Sequence, residues 1–331
     1  MRRSGLPGDL LPAAVLAALA VEHRYTTATS ASRTSPCTPR TNLIAMLSRR
    51  RLLALTIPAG AAVACSRPTG STLERARAAG AIRVGISGER PYSYIDPSGR
   101  VTGAQPEVAR AVLARIGVDE LAAVRVPFAE LIPQLQAGQY DLIAAGMTVR
   151  PGRCREVAFT RPAFVAPPAF LVQEGNPRDL ESFRDVARSG VRLAVLAGAV
   201  EVDYAREAGV PEDRLEIVDS QSALFHSVAS ERVPAGALTR ISLTDELRRN
   251  PGSGLEVTGA VQAVVDGRAV VPAAAFAVRT GETDFLAAFD AELAALQASG
   301  EWLRITEPFG FTRNNLPPPD LTTASLCNPA A

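Results

Sequence analysis

Two runs of alternating short apolar strands and amphipathic helices, one before and one after Gly175-Asn176-Pro177, constrain this chain more than any other feature. In the first run, Ile82-Arg83-Val84-Gly85-Ile86 alternates like a strand, and residues 106–116 carry Val108, Val112, Leu113 and Ile116 at helical spacing behind a proline suited to a first turn. A second helix over 129–137 stops at Gly138, and Asp141-Leu142-Ile143-Ala144-Ala145-Gly146 reads as a short buried strand. Strand, helix and strand in that order call for a parallel sheet. The pattern restarts with a strand over 191–196, a helix over 200–208, a strand over 215–218 and a helix over 222–230. Val264-Val265-Asp266-Gly267-Arg268-Ala269-Val270-Val271 sets Asp-Gly between apolar runs, the strongest short-range hairpin signal. A strand over 274–278 then returns toward the first lobe, and a helix over 283–299 puts Phe285, Leu286, Phe289, Leu293 and Leu296 on one face before Gly300. The expected fold is α/β, with two lobes, each a mixed, mainly parallel sheet flanked by helices. Two crossings, near 170–175 and 274–280, form a hinge between them, and hinged clefts close on ligands.

At 331 residues the chain is long enough for two such lobes, and no apolar run approaches the roughly 20 residues of a membrane span. Its first part reads as an address. Ser48-Arg49-Arg50-Arg51-Leu52-Leu53 leads into an apolar stretch over 52–63 that ends in Ala62-Val63-Ala64-Cys65. That order of basic cluster, apolar region and small-residue cleavage site resembles a twin-arginine export signal closed by a lipoprotein box, with Cys65 as the lipidated residue. A helix packed on the domain is a poorer reading, since Pro58 and Gly60 break it and an arginine cluster has no place in a core. Because the signal starts at 46, Met46 is the expected true start. A second signal over 10–21 behind Arg2-Arg3 is the alternative. The expected organisation is a leader at 1–45, mis-assigned or disordered, then a signal peptide at 46–64 and a tether at 65–71. The first lobe takes 72–172 and 275–331, and the second takes 173–274.

The net charge of +1 averages two unlike pieces. Residues 1–64 hold eight arginines and two acids, leaving 27 arginines and 32 acids, a net of −5, for the rest. All 35 basic residues are arginine, which fits a coding bias better than a nucleic-acid face. Of four cysteines, Cys37 falls in the leader and Cys65 in the lipoprotein box. Cys154 and Cys327 remain in an exported domain, where one bridge between them is expected and two separate thiols are the alternative. No Cys-His clustering supports a metal site, and no cofactor is expected.

Three segments carry a family resemblance: Glu89-Arg90-Pro91-Tyr92, the stretch from Phe128-Ala129-Glu130-Leu131 to Gln139-Tyr140-Asp141, and Ala145-Gly146-Met147-Thr148-Val149-Arg150-Pro151-Gly152-Arg153. From about residue 73 to 327 the chain resembles the extracellular solute-binding proteins of polar amino acid ABC importers. Within that group, Arg153-Cys154-Arg155-Glu156-Val157-Ala158-Phe159, Ala197-Gly198-Ala199-Val200-Glu201-Val202-Asp203-Tyr204-Ala205 and the tail with Pro308-Phe309-Gly310-Phe311, Asn314-Asn315-Leu316-Pro317, Thr322-Thr323 and Leu326-Cys327 resemble the ectoine/hydroxyectoine-binding branch. The resemblance implies a type II periplasmic-binding-protein-like fold and a monomer that binds a small zwitterion. It implies ABC permease subunits as partners, and contact with a membrane only through the lipid anchor.

Arg153 follows a turn just after a parallel strand end, where its guanidinium fork can grip a carboxylate through two hydrogen bonds. Gly146 lets backbone approach closely, and Thr148 can add a hydroxyl and an amide. The resemblance places Tyr92 and Phe128 as aromatic walls around a delocalised cation, with Glu89 accepting from the ligand's N–H groups. Gly198 and Ala199, at the start of a helix, are expected to offer backbone N–H groups to the same carboxylate. The sequence departs from the branch at Thr148, where a third aromatic is usual, and at Arg150, where the family usually has Thr or Ser. The second-lobe Asp that takes an α-ammonium in amino acid binders is not evident, and only Thr239 is on offer. That favours a zwitterion with a spread cation over glutamine or arginine. Cyclohexadienyl dehydratases share the fold, but Glu89 is the only acid of the cleft that is evident and no Ser-His-Asp or Cys-His set appears, so an enzyme is not expected.

Overall fold

The computed structural model describes residues Gly70–Asn328. The leader, the signal segment, Cys37 and the lipidation candidate Cys65 lie outside the described residues. Ser71 opens the first helix, Thr72–Ala79, with a capping box: its hydroxyl accepts from the Glu74 N–H while the Glu74 carboxylate accepts from the Ser71 N–H.

The first sheet has the order Glu120–Arg125, Ala81–Ile86, Leu142–Thr148, Ala273–Val278, Ala158–Phe159, and Phe164–Val165 pairs with Ala273–Val278 as well. The first three strands are parallel, and Ala273–Val278 runs against every strand it pairs with. The second sheet has the order Leu215–Val218, Leu193–Leu196, Ala235–Thr239, Pro168–Gln173, Leu255–Val257. There the reversed strand is Pro168–Gln173. Each sheet is thus mixed but mainly parallel, and its one reversed strand is the strand by which the chain enters from the other sheet.

Both reversed strands are buried almost throughout, which is why they read as unbroken apolar runs rather than alternating ones. One finding differs from the sequence reading. The chain passes between the sheets at 166–167 and 270–272, not near 170–175 and 274–280, because Pro168–Gln173 already pairs within the second sheet and Ala273–Val278 within the first. Pro167 and Pro168 have no N–H to give a ladder, so pairing with the first sheet stops there. Gly175 and Asn176 only turn the chain after the strand, both at positive φ. In the hairpin Val264–Val265 and Arg268–Ala269, Asp266 and Gly267 both have positive φ, as a tight two-residue turn requires.

The helix Thr283–Ser299 buries Phe285, Phe289, Leu293 and Leu296, leaving Leu286 partly covered at the edge of the same core. That core joins helix Ala104–Arg115 to one face of the first sheet. A second apolar cluster runs through both sheets, from Phe128 and Met147 to Leu171, Leu196 and Leu224, and is the packing that joins the two lobes.

Candidate functional site

Strand Leu142–Thr148 ends in the middle of the first sheet, and the residues just beyond its end build half of the site. Gly146 has φ +70°, and a Cβ there would lie 2.8 Å from the Tyr92 ring, so only glycine lets the ring lie over the strand. Tyr92 is buried and stacks on Phe164 at 5.3 Å, while Phe311 meets both rings edge-on. Its hydroxyl donates to Thr239 Oγ1 at 2.7 Å, from the first lobe to the last residue of strand Ala235–Thr239 in the second.

Arg153 lies in the short helix Pro151–Cys154 that comes after the strand. Nη1 donates to the Thr148 carbonyl and Nη2 to the Gly198 carbonyl, each at 2.7 Å, so the guanidinium spans both lobes. Its centre lies 5.6 Å from the Phe128 ring centroid. Burial, and then the Arg150 charge, bring Arg153 down to about 10, so it stays cationic at neutral pH. Two of its five N–H groups are taken by these carbonyls, and the guanidinium lines the cavity between the lobes. Arg150 itself pairs with Asp203 in the helix Val200–Glu207, a second tie between the lobes.

Phe128 opens a short 3-10 turn, Phe128–Glu130, and the second lobe comes against it at Gly198. Gly198 has φ +75°, and a Cβ on it would stand 2.9 Å from the Ala129 Cα. Glu89 is buried, and desolvation raises it to about 8; the Ser242 hydroxyl works against this and the neighbouring Glu201 adds to it. Glu201, also buried, is raised to about 7 by burial, with its own backbone N–H and then Arg153 and Arg150 pulling it back. Neither acid is held as a firm anion in this site.

These residues border a narrow cavity between the sheets. Glu89, Tyr92, Phe128, Gly146, Thr148 and Arg153 line it from the first lobe, and Ala199 and Thr239 from the second. Gly198 meets the site through its carbonyl, in the grip of Arg153, rather than as a lining residue. The expected N–H donation by Ala199 is not available: its N–H goes to the Leu196 carbonyl at 3.0 Å, closing the tight turn that Gly198 makes.

Three lining residues escaped the sequence reading: Val200, Leu238 and Glu201. Glu201 left a trace, since Glu201, Tyr204 and Ala205 share one helical face and all are buried. An acid in a first helical turn is ordinarily read as solvent-facing. Gln221 also went unseen. It accepts from the Arg90 N–H at 3.1 Å and donates to the Arg90 carbonyl at 2.9 Å, tying the Glu89–Tyr92 segment to the second lobe. Nothing in its local sequence signals that role.

The Cys154 and Cys327 sulfurs lie 2.01 Å apart, bringing the tail helix Thr323–Cys327 onto the helix that carries Arg153. Thr323 Oγ1 also donates to the Thr160 carbonyl at 2.6 Å, and Asn315 Nδ2 to the Val165 carbonyl at 3.0 Å. Among the described residues no group of His, Cys, Asp and Glu is arranged to hold a metal ion, and no helix is long and apolar enough to cross a membrane.

The site thus sets one guanidinium and two buried carboxyls on the same cavity between the lobes. The family model of bacterial extracellular solute-binding proteins, family 3, matches residues 82–312. The chain is 32% identical over 260 residues, 78% of its length and 86% of the relative's, to the probable amino-acid ABC transporter periplasmic-binding protein y4tE of Sinorhizobium fredii. It is 27% identical to the L-arginine-binding protein of Pseudomonas aeruginosa over 69% of this chain and 87% of that one. The crystal structure of EhuB in complex with hydroxyectoine superposes with a TM-score of 0.70 at 34% identity, covering 77% of this chain and 97% of that one. With the model spanning most of both lobes and the fold in agreement, the chain belongs to the bacterial extracellular solute-binding proteins, family 3.

Proposed function

We propose that this amino-acid-type ABC solute-binding protein captures a small zwitterion, ectoine or hydroxyectoine, between its lobes and hands it to the permease of an importer. The observation that carries the reading is a fixed guanidinium and two buried acids lining one cavity, acids that a cationic ligand would ionise. Arg153 keeps three N–H groups for a carboxylate, and Glu89 waits among apolar walls for a cation. Tyr92 and Phe128 border the space between, where a delocalised cation gains about 0.5 to 2 kcal/mol from each ring face it meets. The likeness to EhuB, solved with hydroxyectoine, supports this ligand class. Thr148 and Arg150 leave one side of the cage without a ring.

Glu201 favours a second reading, a polar amino acid such as arginine or glutamine. It supplies a second-lobe acid for an α-ammonium, the group the sequence reading did not find. Calorimetric titration with ectoine, hydroxyectoine, L-arginine and L-glutamine separates the two. Ectoine or hydroxyectoine is expected to bind tightest, and a tighter L-arginine or L-glutamine would establish the second reading instead. Arg153→Ala should weaken the tightest ligand by about 2 to 5 kcal/mol, roughly thirtyfold or more, because the ligand carboxylate is left buried and unpaired. Unchanged binding would remove Arg153 from the site. No turnover is expected, and conversion of prephenate or arogenate by the same protein would turn the reading into an enzymatic one. We further propose that the chain is exported, processed before Cys65 and lipid-anchored there as a monomer at the outer face of the cytoplasmic membrane.

A further inference from the structure

The two acids of the cavity are not equivalent. Glu89 has the Ser242 hydroxyl nearby, which opposes the effect of its burial. Glu201 is only 2% exposed, and among the described residues its Oε1 has no hydrogen-bond partner. A buried polar atom left unpaired costs about 1 to 3 kcal/mol, so an acid kept for structure alone would be expected to have one. The nearby cations do not provide it. Arg153 donates to the Thr148 and Gly198 carbonyls and Arg150 is paired with Asp203, and among the described residues neither guanidinium bonds to Oε1 of Glu201. Glu201 lines the cavity from the second lobe while Glu89 lines it from the first.

We infer that Glu201 is a ligand-contacting specificity residue, and that with Glu89 it takes the two N–H groups of one delocalised, amidinium-like cation, one acid from each lobe. The inference rests on the proposed reading of a zwitterion with a spread cation and deepens it. Such a cation carries N–H donors at both ends of a short planar unit, so it can satisfy two acceptors that face it from opposite sides. A quaternary ammonium has none and would leave Oε1 unpaired. A site built to hydrogen-bond a donor rejects an analogue that lacks it far more strongly than an apolar pocket rejects a change in size. Because the two acids sit on different lobes, the same contact also rewards closure: the cation completes both hydrogen bonds only when the lobes are together.

The test uses the full chain as wild type, Glu201→Gln and Glu201→Leu, titrated by calorimetry with ectoine, hydroxyectoine, L-arginine, L-glutamine and glycine betaine, with a thermal melt of each unliganded protein. Wild type is expected to hold ectoine or hydroxyectoine at least about a hundredfold more tightly than glycine betaine. Glu201→Gln and Glu201→Leu should each weaken the tightest ligand at least about tenfold, while the unliganded Glu201→Leu protein melts no lower than wild type. A residue kept for structure would show the opposite, a lower melting temperature with affinity preserved, and that result overturns the inference. If L-glutamine, which has no delocalised cation, proves tightest, the spread-cation reading and the inference with it fail; if L-arginine does, its guanidinium is itself such a cation, and the role of Glu201 is judged by the loss of L-arginine in Glu201→Gln. If Glu201→Gln holds the tightest ligand as wild type does, or wild type binds none of the five, the inference falls.

Discussion

At the scale of single residues the site is governed by burial of charge. Glu89 and Glu201 take up protons at about 8 and about 7, against the ordinary 4.5, chiefly because both are desolvated. The folded, unliganded chain therefore binds more protons than the unfolded chain between about pH 4.5 and pH 8, and its stability should fall as pH rises through that window. Each group contributes at most about 1.4 kcal/mol per pH unit. Thermal melts of the unliganded protein across that range are expected to show a falling midpoint, and a midpoint that rises from pH 5 to 8 would contradict the assignment. A cationic ligand reverses the sign. It favours the ionised acids, so its affinity should strengthen as pH rises toward 8, with Arg153, Arg150 and the Ser242 hydroxyl as the other groups facing the pair. Tyr92 came from the family resemblance, whereas Arg153 and Thr148 were legible in the sequence as residues of the cleft because strand ends and arginine forks have local signatures. Glu201 was not, since whether an acid in a first helical turn faces water or a second lobe is decided by what packs against the helix.

At the scale of elements, glycines decide how closely the pieces can meet. Gly198 holds a left-handed turn beside the Ala129 backbone of the other lobe. Gly198→Ala should cost about 1 to 2 kcal/mol of stability for the left-handed backbone. It should weaken the ligand further, because the Ala129 contact burdens the closed form and spares an open one. Melting temperature and Kd measured on the same protein separate the two effects, and an unchanged Kd would mean that closure does not bring Gly198 to Ala129. Elements that the pattern made plain came out with little change: strand Leu215–Val218 and helix Thr283–Ser299 to the residue, helix Val200–Glu207 one residue shorter. Periodicity and caps settle such elements locally. The passage between the sheets was misplaced because Pro168–Gln173 is a buried strand that could join either sheet by its composition, and pairing partners alone decide which.

At the scale of the whole molecule, the lobes are held together by hydrogen bonds and an ion pair across the cleft. Gln221 locks onto Arg90, Tyr92 reaches Thr239, and Arg150 meets Asp203, all across the cleft. The tail closes the first lobe, with Cys327 brought to Cys154 beside the Arg153 helix. A bridge there would close a loop with a sequence separation of 173, the kind of long loop that stabilises by about 3 to 5 kcal/mol when unstrained. Intact mass of the non-reduced, membrane-extracted protein is expected to correspond to residues 65–331 with lipid on Cys65 and two hydrogens fewer than the thiol form. A mass that retains residues before 65, or one that does not shift on reduction, would refute the anchor or the bridge respectively. The sequence by itself determined the kind of the elements it marked, the two αβ runs and the hairpin, because these arise from spacing and local backbone preference, and the family resemblance supplied much of the cavity lining. Only the tertiary structure decided which sheet each reversed strand joins, where the chain crosses, that the Ala199 N–H is already used, and that Glu201 turns inward. Each of those depends on which distant surfaces exclude water from one another, and burial of that kind is written in no local stretch of the chain.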